Sequence, residues 1–239
     1  LSEKVVLITG ASKGIGKAIA EEAGKKNVVS LFSRSETELK SISETLNKQG
    51  SKSIFFVGDI KNELDIKNAV QKTIDTYGRI DILVNNAGIG YFKEISEFTY
   101  QEFDEIQKVN LYGTFLFCKY VSAYMIKAKS GYIINISSVA GLNGFKTGTA
   151  YSASKFAVNG FTESLREDLK QYGIGVSVVC PGSVATGFGG LDEKKLQGKD
   201  YMLEPEDVAR TVQYLIDESE TANAKLIELK PRRRMQFRG

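Results

Sequence analysis

Short apolar runs rich in β-branched residues alternate with amphipathic segments along almost the whole chain. "VVLIT" (Val5 to Thr9), "VVSLF" (Val28 to Phe32), "SIFFV" (Ser53 to Val57) and "DILVNN" (Asp81 to Asn86) have the length and composition of buried strands. "YIINIS" (Tyr132 to Ser137), "VSVVC" (Val176 to Cys180) and "KLIEL" (Lys225 to Leu229) extend the set to seven. Between them, apolar positions recur at helical spacing over roughly Ile15 to Lys26, Glu36 to Lys48, Glu63 to Tyr77, Tyr100 to Lys129, Ala150 to Gln171 and Glu204 to Asp217. Repetition of strand, helix, strand predicts right-handed crossovers and a parallel sheet covered on both faces. The expected fold is α/β: a doubly wound, Rossmann-like sheet of about seven strands. No linker or internal repeat interrupts it, so residues 1–239 read as a single domain.

Composition narrows the classes of function. With 42% hydrophobic and 26% charged residues the chain is an ordinary globular protein. Its richest apolar stretch, "YGTFLFCKYVSAYMI", is broken by Lys119 and predicts no membrane span. Lys4 opens straight into a strand, which does not read as a secretory signal, and the cytoplasm is the expected compartment. The net charge of +3 includes four arginines in the tail 231–239, leaving about −1 elsewhere. That tail reads as a solvated basic end; neither nucleic acid nor membrane is an expected partner. Cys118 and Cys180 are far apart in apolar surroundings and the chain has no histidine, so no metal site is expected and both cysteines read as core.

The first strand runs into "TGASKGIGKAIA", with glycines at 10, 14 and 16. Such glycines turn the backbone sharply and leave the first amides of the next helix bare. Those amides and the helix dipole favour an anion such as pyrophosphate. Gly10, Ser12, Lys13, Gly14, Ile15 and Gly16 are therefore candidate cofactor residues. An acidic residue at the end of the second strand would bind the ribose hydroxyls of NAD, but "SLFSRS" has Ser33 and Arg34 there. Arg34 and Lys13 suit the extra phosphate of NADP instead, which makes NADPH/NADP+ the expected cofactor and NAD the lesser one.

Asp59 ends the third strand, placed to accept a hydrogen bond from an adenine amine or to serve as a helix cap or turn residue. "NNAG" (Asn85 to Gly88) closes the fourth strand, at the edge where doubly wound sheets bind ligands. Asn110 interrupts a helical pattern as a poor helix former, which implies at least a kink. Tyr151 and Lys155, four apart on a helix, share one face. A charge about 4 Å from the phenol is worth roughly 4 kcal/mol at an effective dielectric near 20, or about three pKa units. Lys155 and the positive nicotinamide of the oxidised cofactor are accordingly expected to bring Tyr151 toward neutral pH, where a chain without histidine needs an acid–base group.

Taken together, TGASKGIG, Asp59, NNAG, Asn110, the Ser137–Ser138 pair, Tyr151-x-x-x-Lys155 and Pro181–Gly182, in that order, resemble the short-chain dehydrogenase/reductase family. The resemblance covers nearly the whole chain. It implies hydride transfer between NADPH and a small carbonyl substrate, with Tyr151 as general acid and Ser138, thirteen residues earlier, holding the substrate oxygen. Lys155 would lower the tyrosine pKa and bind the nicotinamide ribose, while Asn110 would hold a water leading from Lys155 to solvent. Ile60, Asn86, Ala87 and Gly88 would line the cofactor, and Pro181, Gly182, Val184 and Thr186 would touch its nicotinamide end.

Many members of that family finish with a glycine-rich segment, absent from "LIELKPRRR". This points to the broad NADPH-dependent carbonyl reductases ahead of a 3-oxoacyl-thioester (acyl-carrier-protein) reductase or a 3-hydroxy acid dehydrogenase. A non-catalytic NADP(H)-binding regulator is the alternative of another class. Substrate contacts are expected from Gly90 to Glu94, Val139 to Phe145 and Gly187 to Met202, the last a closing lid or a plain surface loop. Tyr91, Phe145 and Phe188 hint at an apolar pocket. The family also implies a homotetramer or homodimer built through the long helices beginning near Tyr100 and Ala150.

Overall fold

Strands Val5–Thr9 (β1), Val28–Ser33 (β2), Ser53–Val57 (β3), Ile82–Asn85 (β4), Gly131–Ile136 (β5), Ile174–Pro181 (β6) and Leu226–Leu229 (β7) form one parallel sheet, ordered β3-β2-β1-β4-β5-β6-β7. This is a computed structural model; it describes residues 3–190, 192, 196, 199–219 and 221–233. Every residue of β1, β2 and β4 is buried, which is why those runs are continuously apolar instead of alternating. Alternation survives in which face each side chain takes. Val6 and Ile8 pack with Ile19, Leu39, Val212 and Leu215, from helices Gly14–Ala23 (α1), Glu36–Lys48 (α2) and Pro205–Asp217 (α7). Leu7 faces the other way, onto Val70, Phe117, Val121 and Leu169, from Glu63–Tyr77 (α3), Gly113–Ala128 (α5) and Thr149–Lys170 (α6).

Element boundaries shift where local bonding overrides apolar spacing. α1 ends at Ala23, three residues before the expected Lys26, where the amides of Lys25 and Lys26 bond three residues back, to Glu22 O and Ala23 O at 3.3 and 3.2 Å, and the Asn27 side chain also takes Ala23 O at 3.1 Å. The long pattern from Tyr100 to Lys129 is not one helix. Tyr100–Gln107 (α4) passes through a π-helical turn, Lys108–Tyr112, before α5 begins. One wide turn rotates Asn110 inward, where it is 1% exposed; such turns recur at functional sites.

The chain reverses its direction of winding between β1 and β4, which opens a crevice at the carboxyl ends of the strands. The segments that follow β1, β4, β5 and β6 all emerge there, and they carry the candidate residues. At the opposite end of the sequence Arg233 pairs with Asp200 at 2.6 Å. Residues 234–239 of the basic tail lie outside the described residues.

Candidate active site

The glycine turn is closed by direct backbone packing. Gly10 has φ +65°, and a Cβ there would lie 2.8 Å from Ala87 Cα. At Gly16 it would lie 2.2 Å from Gly10 O and 2.4 Å from Asn86 Nδ2, so only glycine lets α1 approach the turn this closely. Thr9 Oγ1 accepts from the amides of Asn86 and Ala87, both at 3.0 Å, and Asn86 Nδ2 donates to Thr9 O and Gly10 O. Thr9, which the motif reading passed over, thus ties "NNAG" to the turn. Asn86 spends its side-chain amide on the same job. Its neighbour Asn85 faces the core, donating to Asn135 Oδ1 at 2.9 Å.

α1 has neither a side-chain cap at Lys13 nor an acidic residue in its first turn, whereas Asn62 caps α3 and Thr99 caps α4. An uncapped, acid-free helix start beside a cradle that a Cβ would fill fits a pyrophosphate. Ser12 is half-buried in that turn, and Gly14 lies against Thr186, whose Cγ2 a Cβ would approach to 3.2 Å. The segment after β6 therefore folds back over the cradle, held by Gly182 N to Leu229 O at 2.7 Å and by pairing of Val184 with Leu203.

Lys13 and Arg34 are exposed at one side of this cradle, Arg34 directly after the buried Ser33, and neither pairs with a carboxylate among the described residues. Arg34 is near enough to Tyr91 to draw its phenol down, against the stronger upward pull of the hydrogen bond to Glu105. Asp59 takes the turn role left open by the sequence: Oδ1 accepts from Lys61 N at 2.9 Å, and Asn62, not Asp59, caps α3. Ile60 is 7% exposed and packs against Gly113, where a Cβ would meet its Cγ1 at 2.4 Å.

Ser138, Tyr151 and Lys155 come together at the ends of β5 and α6. Ser138 begins a short 3-10 turn, its Oγ accepting from Ala140 N at 3.1 Å and donating to Pro181 O at 3.4 Å, and its hydroxyl lies near enough to the Tyr151 phenol to draw it down. Ser137 turns away toward Lys155 O at 3.3 Å. Lys155 Nζ donates to Ile136 O at 3.0 Å and lies 5.8 Å from the Tyr151 ring centre. Gly88, Asn110 and Lys155 converge: a Cβ on Gly88 would be 3.4 Å from Asn110 Oδ1 and 3.7 Å from Lys155 Nζ.

Without a dinucleotide in place, burial pushes the Tyr151 phenol up to about 12, with the Ser138 hydroxyl opposing, against the downward shift expected from Lys155 and a bound nicotinamide. The same burial pulls Lys155 down to about 8. Removing both groups from water outweighs their attraction, because the lysine points its hydrogen bond at Ile136. The Asn110 side chain is itself held by three hydrogen bonds. Its Nδ2 donates to Ile89 O and Ser154 Oγ, each at 2.9 Å, while Oδ1 accepts from Ile89 N at 2.8 Å. Asn110 braces the loop after "NNAG" against α6.

Over Tyr151 stands a residue that the sequence reading did not single out. Phe92 meets the tyrosine ring edge-on, centres 5.5 Å apart, and also touches Phe145 and Phe188 at 5.8 and 6.3 Å. Tyr91, taken as the aromatic of this segment, points the other way, its hydroxyl 2.9 Å from Glu105. The extended backbone sends neighbours to opposite sides, a signal that was present in the adjacent pair. Residues 191, 193–195 and 197–198 of the expected lid lie outside the described residues.

Comparison with known proteins agrees with this arrangement. The family model for short chain dehydrogenases matches residues 4–196. An uncharacterized oxidoreductase of Thermotoga maritima is 44% identical over 75% of this chain and 71% of its own. A sepiapterin reductase of Chlorobaculum tepidum is 34% identical over 93% of this chain and 94% of its own. An alcohol dehydrogenase from the archaeon Thermococcus sibiricus, solved with 5-hydroxy-NADP, superimposes with a TM-score of 0.90 at 27% identity, covering 99% of this chain and all of that one. Since the match spans most of the chain and the sheet order follows the same plan, the chain belongs to the short-chain dehydrogenase family of oxidoreductases.

Proposed function

We propose that this chain is an NADPH-dependent reductase that converts the carbonyl of a small ketone or aldehyde to an alcohol, with Tyr151 as the proton donor. The observation that carries this reading is a buried phenol beside the Ser138 hydroxyl and the Lys155 ammonium, pushed up to about 12 and so protonated at neutral pH, at the mouth of the glycine cradle. Bound there, NADPH supplies the hydride. Tyr151 gives its proton to the substrate oxygen, and Ser138 holds that oxygen in place. Lys155, charged below about 8, is the nearest group able to return a proton to the tyrosine. Asn110 keeps Lys155 and the Ile89 loop in register.

For the cofactor, the amides of Gly14, Ile15 and Gly16 take the pyrophosphate, with Gly10 and Ser12 in the turn. Asp59, Ile60, Asn86, Ala87 and Gly88 line the adenosine side, and Lys13 and Arg34, beside Ser33, hold the ribose phosphate. Pro181, Gly182, Val184 and Thr186 take the nicotinamide end. The NADP analogue in the archaeal relative supports this choice of dinucleotide.

The test is loss of nicotinamide absorbance against 3-oxo esters, diketones, pterins and short aldehydes, with NADPH and NADH in parallel. NADPH is expected to be oxidised with one class and NADH to be poor. In Arg34→Asp with Lys13→Ala, the NADPH-to-NADH preference should fall at least about 10-fold, the weight of one charged hydrogen bond. An unchanged ratio would mean that both cations face water.

The reading includes self-association. Tyr112, Phe115 and Phe156 are each about half exposed on α5, α6 and the π turn, beside an apolar groove of about 620 Å³ lined by Leu111, Leu116, Ala157 and Phe161. A second copy of this face would cover it. Light scattering is expected to give a dimer or tetramer; a monomer mass at micromolar concentration would remove this part.

A further inference from the structure

The geometry points to a slot for a flat, uncharged aromatic or cyclic carbonyl compound above Tyr151, with Phe92 as the residue that selects it. This names the substrate class for the reductase reading above and rests on it.

Two phenylalanines touch the Tyr151 ring, Phe92 after β4 and Phe188 after β6, and a third, Phe145 between β5 and α6, packs on Phe92. Phe92 is the hub, in ring contact with the other two and with the tyrosine. Each ring has its room made by a glycine on a nearby strand of backbone. A Cβ on Gly90 would lie 2.9 Å from Phe188 and 3.0 Å from Phe92. On Gly189 it would lie 2.6 Å from Phe92, and on Gly148 2.4 Å from Phe145. The segments are also tied to each other, because Lys93 N donates to Thr147 O at 3.1 Å and Thr147 holds a left-handed φ of +66°.

Burial of these rings is incomplete in a way that folding does not explain. Tyr151 is 9% exposed beneath them, yet Phe92 and Phe145 keep 40% and 48% of their surface in water. Exposed rings gathered over a protonated phenol form an apolar patch of the kind that marks a ligand site. Charge sharpens the choice. The lysines that flank the rings in sequence are both engaged: Lys93 with Glu102 at 2.6 Å, Lys146 with Glu94 at 3.5 Å. Neither is offered to an anionic substrate. A flat ring that enters beside Tyr151 exchanges one ring–ring contact for another and covers the exposed faces of Phe92 and Phe145. A short aliphatic ketone leaves those faces wet.

The deciding measurement is binding of 2-acetylnaphthalene to the full-length, NADP+-loaded protein, followed by its fluorescence, in wild type, Phe92→Leu and Phe92→Ala. Saturable binding that weakens at least about 10-fold in Phe92→Ala, with Phe92→Leu between the two, is the result expected. Equal binding in all three, or no saturable binding by wild type, overturns the slot. Phe92 is partly exposed and each variant's melting curve checks that it folds. Because this binding needs no turnover, failure of the reductase reading registers separately, as absence of NADPH oxidation with every carbonyl offered. In an active enzyme the same variants should lower the ratio of kcat/KM for acetophenone over acetone by about 10-fold or more.

Discussion

Replacing Tyr151 with phenylalanine is expected to lower turnover by at least about 10²-fold while NADPH affinity stays near that of wild type. Loss of a positioned proton donor has that scale. The variant is a clean one because the ring keeps its packing between Phe92 and Phe188, 5.5 Å from each. The Ser138 hydroxyl beside it is not stranded either, since Ser138 Oγ still has Ala140 N at 3.1 Å and Pro181 O at 3.4 Å. Steady-state kinetics and an NADPH titration on the same preparation separate the two effects. Turnover near that of wild type would show that some other group moves the proton.

Lys155→Met should abolish most turnover and yet raise thermal stability. Lys155 is a fully buried ammonium with one hydrogen bond, to Ile136 O, and burial takes its pKa from 10.5 to about 8. Below pH 8 both folded and unfolded chains hold this proton, and the folded state bears the whole desolvation penalty, about 3 kcal/mol. Between pH 8 and 10.5 the unfolded chain binds more of the proton than the folded one does. Wild-type stability therefore rises relative to the variant through that window. Methionine removes the penalty but leaves Ile136 O without its donor, which returns about 1 kcal/mol. Some 2 kcal/mol of gain predicts a melting point about 4–8 °C higher at pH 7 in a chain of this size, a gap that should shrink toward pH 10.5. A variant no more stable than wild type at pH 7 would mean that the ammonium is better solvated than its burial implies. A more stable Lys155→Met with lost turnover would mark the lysine as a group held for chemistry at the expense of stability.

Fold class was legible in advance because buried parallel strands must be apolar throughout and helices must present one apolar face. Val5–Thr9, Glu36–Lys48 and Glu63–Tyr77 appear at the residues that pattern predicts. Helix ends were less legible, since α1 stops where the amides of Lys25 and Lys26 tighten onto carbonyls three residues back, a local matter and not one of periodicity. At Asn110 the pattern announced a disturbance without its form; the π turn follows from the bonds that this side chain makes to Ile89, twenty-one residues away in sequence.

Local chemistry along the chain determined the parts of the site that depend on residue type and spacing: glycines where the turn needs them, Tyr151 and Lys155 one helical turn apart, Arg34 after β2 in place of a carboxylate. Tertiary structure alone decided whatever depends on desolvation and on contacts between distant segments. It turned the Ser137 hydroxyl onto Lys155 O, put Phe92 in the place expected of Tyr91, and raised the Tyr151 phenol by burial. A pattern can place two charges four residues apart, but the sign of a pKa shift is set by how much water the finished fold leaves around them.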